Sequence, residues 1–389
     1  MTGSAPELKA TLADTSLSDP ERMQAAIGLD SLLSDSDPAG LVDLLKQAGA
    51  DQSLGTNSRS QLMSRAATQQ VQLLNDREGA CATLTQVFDG PEFSADNRCE
   101  ARKLLWGIDE DRARALAVFM GNISDPEANH MYRSHARLTI AESVMNSDPD
   151  FATSLCEDQI ADAESIPHNR SAARHTLYQV LKSQNKIAES IQVLEEDIDD
   201  PTSVPEAKAS SRGILAEALM TTDPDRAESL LLTNVTDPEV PDNIRPVSRD
   251  NLISLYKREG KQEKLFEQLK ATVADPAARP VDASEAMRQL ADIFRKASDY
   301  ENAIHWYEAL LAHPAAVIQN RAMAKRNLAL LLSSTDQQRA IKLMTELSQD
   351  EEMPIFVKET ATSELELIKA GIAPRELVNL FDDMPGMPG

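Results

Sequence analysis

The chain has 389 residues, 41% hydrophobic and only 4% aromatic, and a formal net charge of −24 from 63 acidic and 39 basic side chains. No apolar run approaches the ~18 residues that a membrane span needs. Generic nucleic-acid binding is disfavoured, because phosphate contacts need a basic surface.

Residues Met1–Pro20 are polar and are expected to fray. They carry neither a basic start nor an apolar core, so they do not read as a secretory leader. Asp19-Pro20 opens the first expected helix, Glu21–Leu33, and Asp37-Pro38 opens a second through Ala48. From there the chain falls into a beat. Acidic or proline-containing linkers lie at Asp51, Gly90, Asp125, Asp162, Asp200, Asp237, Asp275, His313 and Asp350. Their spacings are 39, 35, 37, 38, 37, 38, 38 and 37 residues, the mark of stacked helical hairpins.

Asp-Pro at 125–126, 200–201, 237–238 and 275–276 ends the preceding helix, because proline biases the residue before it out of the helical region. Asp148-Pro149 and Asp223-Pro224 fall inside hairpins, where aspartate caps and proline begins the second helix. Gly260 marks the corresponding turn. The predicted organisation is N-terminal helices over 1–50, a repeat array over 51–373, and a cap and tail over 374–389. In that last stretch Leu377, Val378, Leu380 and Phe381 are expected to cover the final hairpin.

The repeat unit is clearest over Ala283–Pro314. Met287, Leu290, Ala291 and Phe294 form one apolar face; Ala303, Trp306, Tyr307 and Leu310 form another, both at helical spacing. This unit resembles the tetratricopeptide repeat, through Leu290-Ala291, Phe294, Asp299-Tyr300, Ala303, Tyr307 and Pro314. Leu310 stands where that family prefers a small residue. The resemblance implies an all-α, right-handed α-solenoid of about nine helix-turn-helix hairpins. It also implies that the first helix of each hairpin lines a concave binding groove.

One further periodicity stands out on so acidic a chain. Eight residues after the linker positions sit Arg59, Arg98, Arg133, Arg170, Lys208, Arg245, Arg321 and Lys358, with Ala283 as the one break. Four residues further on come Arg102, Arg137, Arg174, Arg212, Arg249 and Lys325, on the same helix face. This basic ladder has two readings. It recognises an acidic partner segment, through Arg98, Arg133, Arg170, Lys208, Arg245, Arg321 and Lys325. Alternatively, it staples neighbouring repeats, with Asp125–Arg133 and Asp200–Lys208 as expected pairs.

Catalytic and cofactor signatures are missing from the sequence: no phosphate loop, HExxH helix or nucleophile elbow is present. Cys81, Cys99 and Cys156 show no disulfide or metal-site spacing, which suits a reducing, cytoplasmic compartment. The six histidines form no ligand set, and His168 and His175 lie beside Arg170 and Arg174. The two-carboxylate clamp of some tetratricopeptide proteins is not expected either. Arg288 matches its first cation and Asn327 lies near an asparagine position, but Asp292 would repel a carboxylate, and Thr362 replaces the cation beyond Lys358. The expected function is a non-catalytic interaction scaffold or adaptor for a protein partner, with no cofactor, metal, nucleic acid or membrane span. The alternative is an architectural component that assembles with itself or with a larger complex.

Overall fold

The computed structural model describes residues 3–276 and 278–372. Every regular element among them is helical. The chain divides into two compact units, 1–207 and 208–389. The first holds α1 (Ala5–Ala13), then the pairs α2 (Asp19–Leu33) and α3 (Pro38–Ala50), and α4 (Thr56–Leu74) and α5 (Arg77–Phe88). It continues with α6 (Ala95–Ile108), the broken partner α7 (Arg112–Phe119) and α8 (Gly121–Ser124), then α9 (His130–Val144), α10 (Pro149–Ala161), α11 (Pro167–Ser183) and α12 (Ile187–Asp199). The division falls near the start of α13 (Pro205–Leu219). The second unit continues with α14 (Pro224–Thr236), α15 (Arg245–Arg258), α16 (Gln262–Ala274), α17 (Pro280–Lys296) and α18 (Tyr300–Ala312). It ends, among the described residues, with α19 (Ile318–Leu332), α20 (Gln337–Gln349) and α21 (Ile355–Lys369).

Consecutive helices pack on one another from α1 to α12 and again from α14 to α21, so the fold is an all-α array of stacked helical hairpins. The cores follow the chain. One joins Leu8 and Leu29 to Leu62 and Ala66, the next Met63 and Leu84 to Leu105 and Ala115. In the second unit Ala291, Tyr307, Leu328, Met344 and Ile368 belong to one cluster. Each hairpin buries its apolar stripe only against its neighbours, which is how a repeat array grows past the size of a single core. Among the described residues, no helix is long and apolar enough to cross a membrane.

The expected fraying of Met1–Pro20 is not what the structure shows. Ser4 and Glu7 close a reciprocal capping box, and α1 buries Leu8 and Leu12. Gly28 makes this docking feasible: a Cβ there would stand 2.8 Å from Leu8 Cδ1. The cap satisfies amides that polar composition alone leaves open.

Hairpin turns take two forms. At Asp37, Asp148, Asp223 and Asp336 the carboxylate accepts an amide of the following first turn. At Asn75, Asn185, Gly260 and Ser298 the backbone turns through positive φ, between 53° and 66°, the conformation that glycine and asparagine adopt at least cost, and after Asn75 and Ser298 the carboxylates of Asp76 and Asp299 cap the next helix as well.

Candidate functional site

The linkers between hairpins are small, rigid devices. At Asp51, Asp125, Asp162, Asp200, Asp237 and Asp350 the carboxylate accepts the amide two residues on. The carbonyl of the same residue accepts the amide three residues on. That third residue is buried: Leu54, Ala128, Ser165, Ser203, Val240 and Met353. The same turn occurs at Asp14, with Ser16 and Leu17, one repeat length before Asp51.

The basic ladder is built onto these turns. Its first members from Arg22 to Arg170 bridge successive linkers, and Arg245 bonds to its own linker alone. Arg22, eight residues after Asp14, donates to Leu12 O at 2.8 Å and to Ser53 Oγ at 2.9 Å, and pairs with Asp51 at 2.5 Å. Arg59 donates to Gly49 O and reaches Glu92 at 3.3 Å. Arg98 donates to Phe93 O at 2.8 Å, and to Asp125 and Glu127 at 3.1 and 2.9 Å. Arg133 joins Ala128 O to Glu164, and Arg170 joins Ser165 O to Thr202. Arg245 donates to Asp237 O and Pro238 O.

The second members clamp the aspartate that closes their own hairpin. Arg102 holds Asp125 at 3.1 Å, Arg137 holds Asp162 at 2.6 Å, and Arg174 holds Asp200 at 2.9 Å. Arg212 approaches Asp237 at 3.8 Å, and Arg249 pairs with Asp275. The expected pairs Asp125–Arg133 and Asp200–Lys208 are therefore replaced by Asp125 with Arg98 and Arg102, and Asp200 with Arg174. The reason is the antiparallel hairpin, which returns the end of its second helix to the start of its first.

These contacts set charge states. Bonds from Arg22 and Ser53 hold the Asp51 carboxyl at about 2. Bonds from Thr202 lead in lowering Asp200 to about 2, with Arg174 adding to them. Burial alone would raise Asp125, but Arg98 and Arg102 outweigh it. The ladder loosens toward its end. Lys208 and Lys358 are half-buried. Arg321 and Lys325 line a cavity of about 490 Å³ with Asp350, where Lys325 reaches Glu346 at 3.4 Å.

A different set of cations converges in the second unit. A cavity of about 370 Å³ is lined by Lys257, Arg288, Arg295, Lys296 and Arg326, with Asp292 as its one carboxylate. Arg288 is fixed by Glu285 at 2.5 Å and Asp292 at 2.7 Å. Tyr307 Oη donates to Asp292 at 2.5 Å, and Asn327 donates to that hydroxyl at 3.1 Å. Arg326 is held from behind by buried Glu364, with Nε at 2.9 Å and Nη2 at 2.5 Å. Lys257 and Lys296 stand exposed, without an ion pair among the described residues. Desolvation lowers the Lys257 ammonium; Glu285 pulls the other way, while Arg288 and Lys296 push it down further.

Met323 and Arg326 also line a second cavity of about 370 Å³, with Ile318, Ala322, Leu347, Met353 and Val357 on its apolar walls. The two cavities share Met323 and Arg326 of α19 and are taken together as a groove, the first lined mainly by cations and the second by apolar side chains with Glu352 among them. Sequence reading named Arg288, Asp292 and Asn327 but not Lys257, Arg295, Lys296 or Arg326. These four lie off the ladder spacing and meet only through packing of α15, α17 and α19. The first unit carries a cavity of mixed charge. It measures about 530 Å³, lies between α6, α9 and α11, and is lined by Asp96, Glu100, Lys103, Tyr132 and His135, beside exposed Met131 and Ile166, with Lys103 pairing with Glu100 at 3.3 Å.

The cysteines Cys81, Cys99 and Cys156 are buried and unpaired, and burial pushes their thiols up, Cys156 to about 12. Among the described residues no cluster of side chains could hold a metal ion. Residues 374–389, expected as cap and tail, lie outside the described residues.

No protein-family model and no curated protein matches the chain. Among solved structures, a human IFIT1 dimer with PPP-AAAA is similar at 15% identity and a TM-score of 0.29, over 94% of this chain and 86% of that one. A human IFIT1 dimer with m7Gppp-AAAA is similar at 14% and 0.30, over 93% and 84%. Values this low say nothing of function, and the helical-repeat fold stands on the helices described above.

Proposed function

We propose that the protein is a non-catalytic interaction scaffold whose second unit receives an acidic segment of a protein partner. The observation that supports this reading is the first cavity, where five cations meet Asp292 and two of them, Lys257 and Lys296, carry no ion pair among the described residues, beside a second cavity that is apolar apart from Glu352 and Arg326. The field of the cations would steer an anionic segment inward, and the apolar end would hold it. A duplex or long single strand would meet the repulsion of a chain at −24, so the partner is a protein. The ladder has a supporting part here, since Arg98, Arg133, Arg170 and Arg245 already spend their N–H groups on linker acceptors.

Affinity capture tests the reading, with wild type and Lys257→Glu/Lys296→Glu run in parallel at low and high salt after nuclease treatment. A protein retained by wild type, released by salt and lost from a variant of unchanged melting temperature supports groove recognition. Identical captures from both chains would sink it. The second reading is architectural, with the ladder only fixing the hairpin angle; the bonds that every ladder arginine of the first unit makes to linker groups favour it. Capture lost only when Arg133 and Arg170 are replaced, together with a lowered melting temperature, would favour this alternative.

A further inference from the structure

The cationic cavity holds more positive charge than its own carboxylates use. Lys257, Arg288, Arg295, Lys296 and Arg326 line it with Asp292, and Glu285 and Glu364 stand behind Arg288 and Arg326. Five cations against three carboxylates leave a surplus of two charges. Arg288 is spent on Glu285 and Asp292, and Arg326 gives Nε and Nη2 to Glu364. Asp292 is spent too, since Tyr307 takes its other oxygen. Arg295 has only Asp292, at 3.7 Å, beyond hydrogen-bonding distance. Lys257 and Lys296 have no ion pair among the described residues. Both lie in the last turn of their helices, where a cation is favoured, but the carbonyls of Leu255, Lys257, Ile293 and Arg295 already accept backbone amides. The free donors are therefore the two ammoniums and the Arg295 guanidinium.

A ligand that matches this set brings acceptors and about two negative charges to one place. A single carboxylate meets half of the surplus. Two successive acids of an extended segment do not both point inward, because its side chains alternate in direction, and alternate ones stand ~7 Å apart. A phosphate monoester carries ~1.5–2 negative charges at neutral pH and three acceptor oxygens on one atom. We infer that the acid received by this cavity is a phosphorylated side chain of the protein partner, held by Lys257, Arg295 and Lys296. The neighbouring part of the segment has a place as well. The second cavity shares Met323 and Arg326 with the first, and is walled by Ile318, Ala322, Met353 and Val357 with Glu352 as its carboxylate. Glu352 disfavours a second acid there and leaves the apolar wall to an apolar side chain. From Arg326 to Ala322 is one turn, a rise of about 6 Å, which two residues of an extended segment cover. The inference rests on the proposed function and names the acid that the function requires.

Full-length wild type and Lys257→Glu/Lys296→Glu are titrated by fluorescence anisotropy with labelled alanine-rich peptides that place leucine two residues to either side of one test position. That position carries phosphoserine, phosphotyrosine, glutamate or serine. Wild type should bind the better phosphopeptide about tenfold more tightly than the glutamate peptide, the worth of one further charged hydrogen bond, and the serine peptide least. The variant should lose that preference at an unchanged melting temperature; Lys257→Gln/Lys296→Gln repeats the test should the charge reversal fail to fold. Equal affinity for phosphorylated and glutamate peptides would overturn the phosphate inference while leaving the groove as a site for acidic segments. A phosphopeptide preference that survives in both variants would overturn it by placing the phosphate elsewhere. Inorganic phosphate competing as well as the phosphopeptide would assign the cavity to a free anion and overturn the protein source. Failure of every anionic probe to bind wild type would defeat the groove reading together with this one.

Discussion

The two units carry the same frame and different cavities. In the first, the linker turns at Asp51, Asp125, Asp162 and Asp200 are each gripped by arginines from the first helix of their hairpin, and the cavity in that unit sets Asp96 and Glu100 against Lys103. In the second, Asp237 and Asp275 are gripped in the same register, yet the cavity is cationic. What recurs with the repeat builds the frame, because every hairpin has the same end to close. What does not recur marks a place where one hairpin differs from the next. Lys257, Arg295, Lys296 and Arg326 lie nearer this second kind: Lys257 and Arg295, like Arg288 and Arg326, are one repeat apart, but Met220, Asp250, Ser333 and Ser363 stand at the equivalent places of other hairpins.

The largest expected effect falls where frame and groove share a side chain. Arg326 faces both cavities and is the hydrogen-bonded partner of Glu364, with side-chain exposures of 10% and 2%. Arg326→Ala leaves a buried carboxylate without its charge partner, a loss of roughly 3–5 kcal/mol. Urea unfolding followed by circular dichroism should show it. The double change Arg326→Met/Glu364→Leu removes both charges and should recover most of the stability while losing the groove's cation. A single variant as stable as wild type would mean that Glu364 is held by other groups.

Next come the clamps of the first unit. Arg137→Ala removes bonds to Asp162 at 2.6 Å and Gln159 at 3.2 Å. The expected cost is about 1–2 kcal/mol, reduced by the partial exposure of both charged side chains, with binding of acidic probes to the second unit unchanged. Loss of that binding at full stability would put recognition on the ladder after all.

Acid titration probes the same frame without mutation. Asp51 and Asp200 are held at about 2, below the ~3.9 of an unfolded aspartate. A depressed carboxyl stabilises the fold above its unfolded value, and the contribution disappears as pH falls from about 4 toward 2. Thermal melts should therefore be level from neutral pH to about 5 and drop steeply below 4. Arg22→Gln should flatten that drop by raising Asp51 toward its ordinary value.

Much of this frame was legible in the sequence. A linker every 35–39 residues with a cation eight residues later is a one-dimensional signal, and stacking turns it directly into three dimensions. Its wrong pairings, Asp125–Arg133 and Asp200–Lys208, came from treating sequence nearness as contact when an antiparallel hairpin joins residues some 25 positions apart. Helix α1 was missed because its stability lies in the Ser4–Glu7 box and in two leucines meeting Gly28, none of which makes a period. The cationic groove was missed because its register is brief: Lys257 and Arg295 are 38 residues apart, as are Arg288 and Arg326, but neither register runs through the whole array, and only the packing of three first helices brings the four together.

The smallest effect on stability is expected where the effect on binding is decisive. Lys257 and Lys296 are exposed and bear no ion pair among the described residues, so Lys257→Glu/Lys296→Glu should change unfolding free energy by no more than ~0.5 kcal/mol. The two carboxylates repel each other as the two ammoniums do, and the attraction gained to Arg288 is offset by repulsion from Glu285. The same substitution turns two of five groove cations into carboxylates, so anisotropy titration should find affinity for an acidic probe lowered and its salt dependence weakened. A frame arginine such as Arg137 should give the reverse pairing, with stability lost and binding kept. The two cation classes are separated only if both halves of that crossing hold. If Lys257→Glu/Lys296→Glu lowers the melting point by several degrees, the groove cations belong to the frame, and non-recurrence along the repeat has ceased to distinguish function from architecture in this chain.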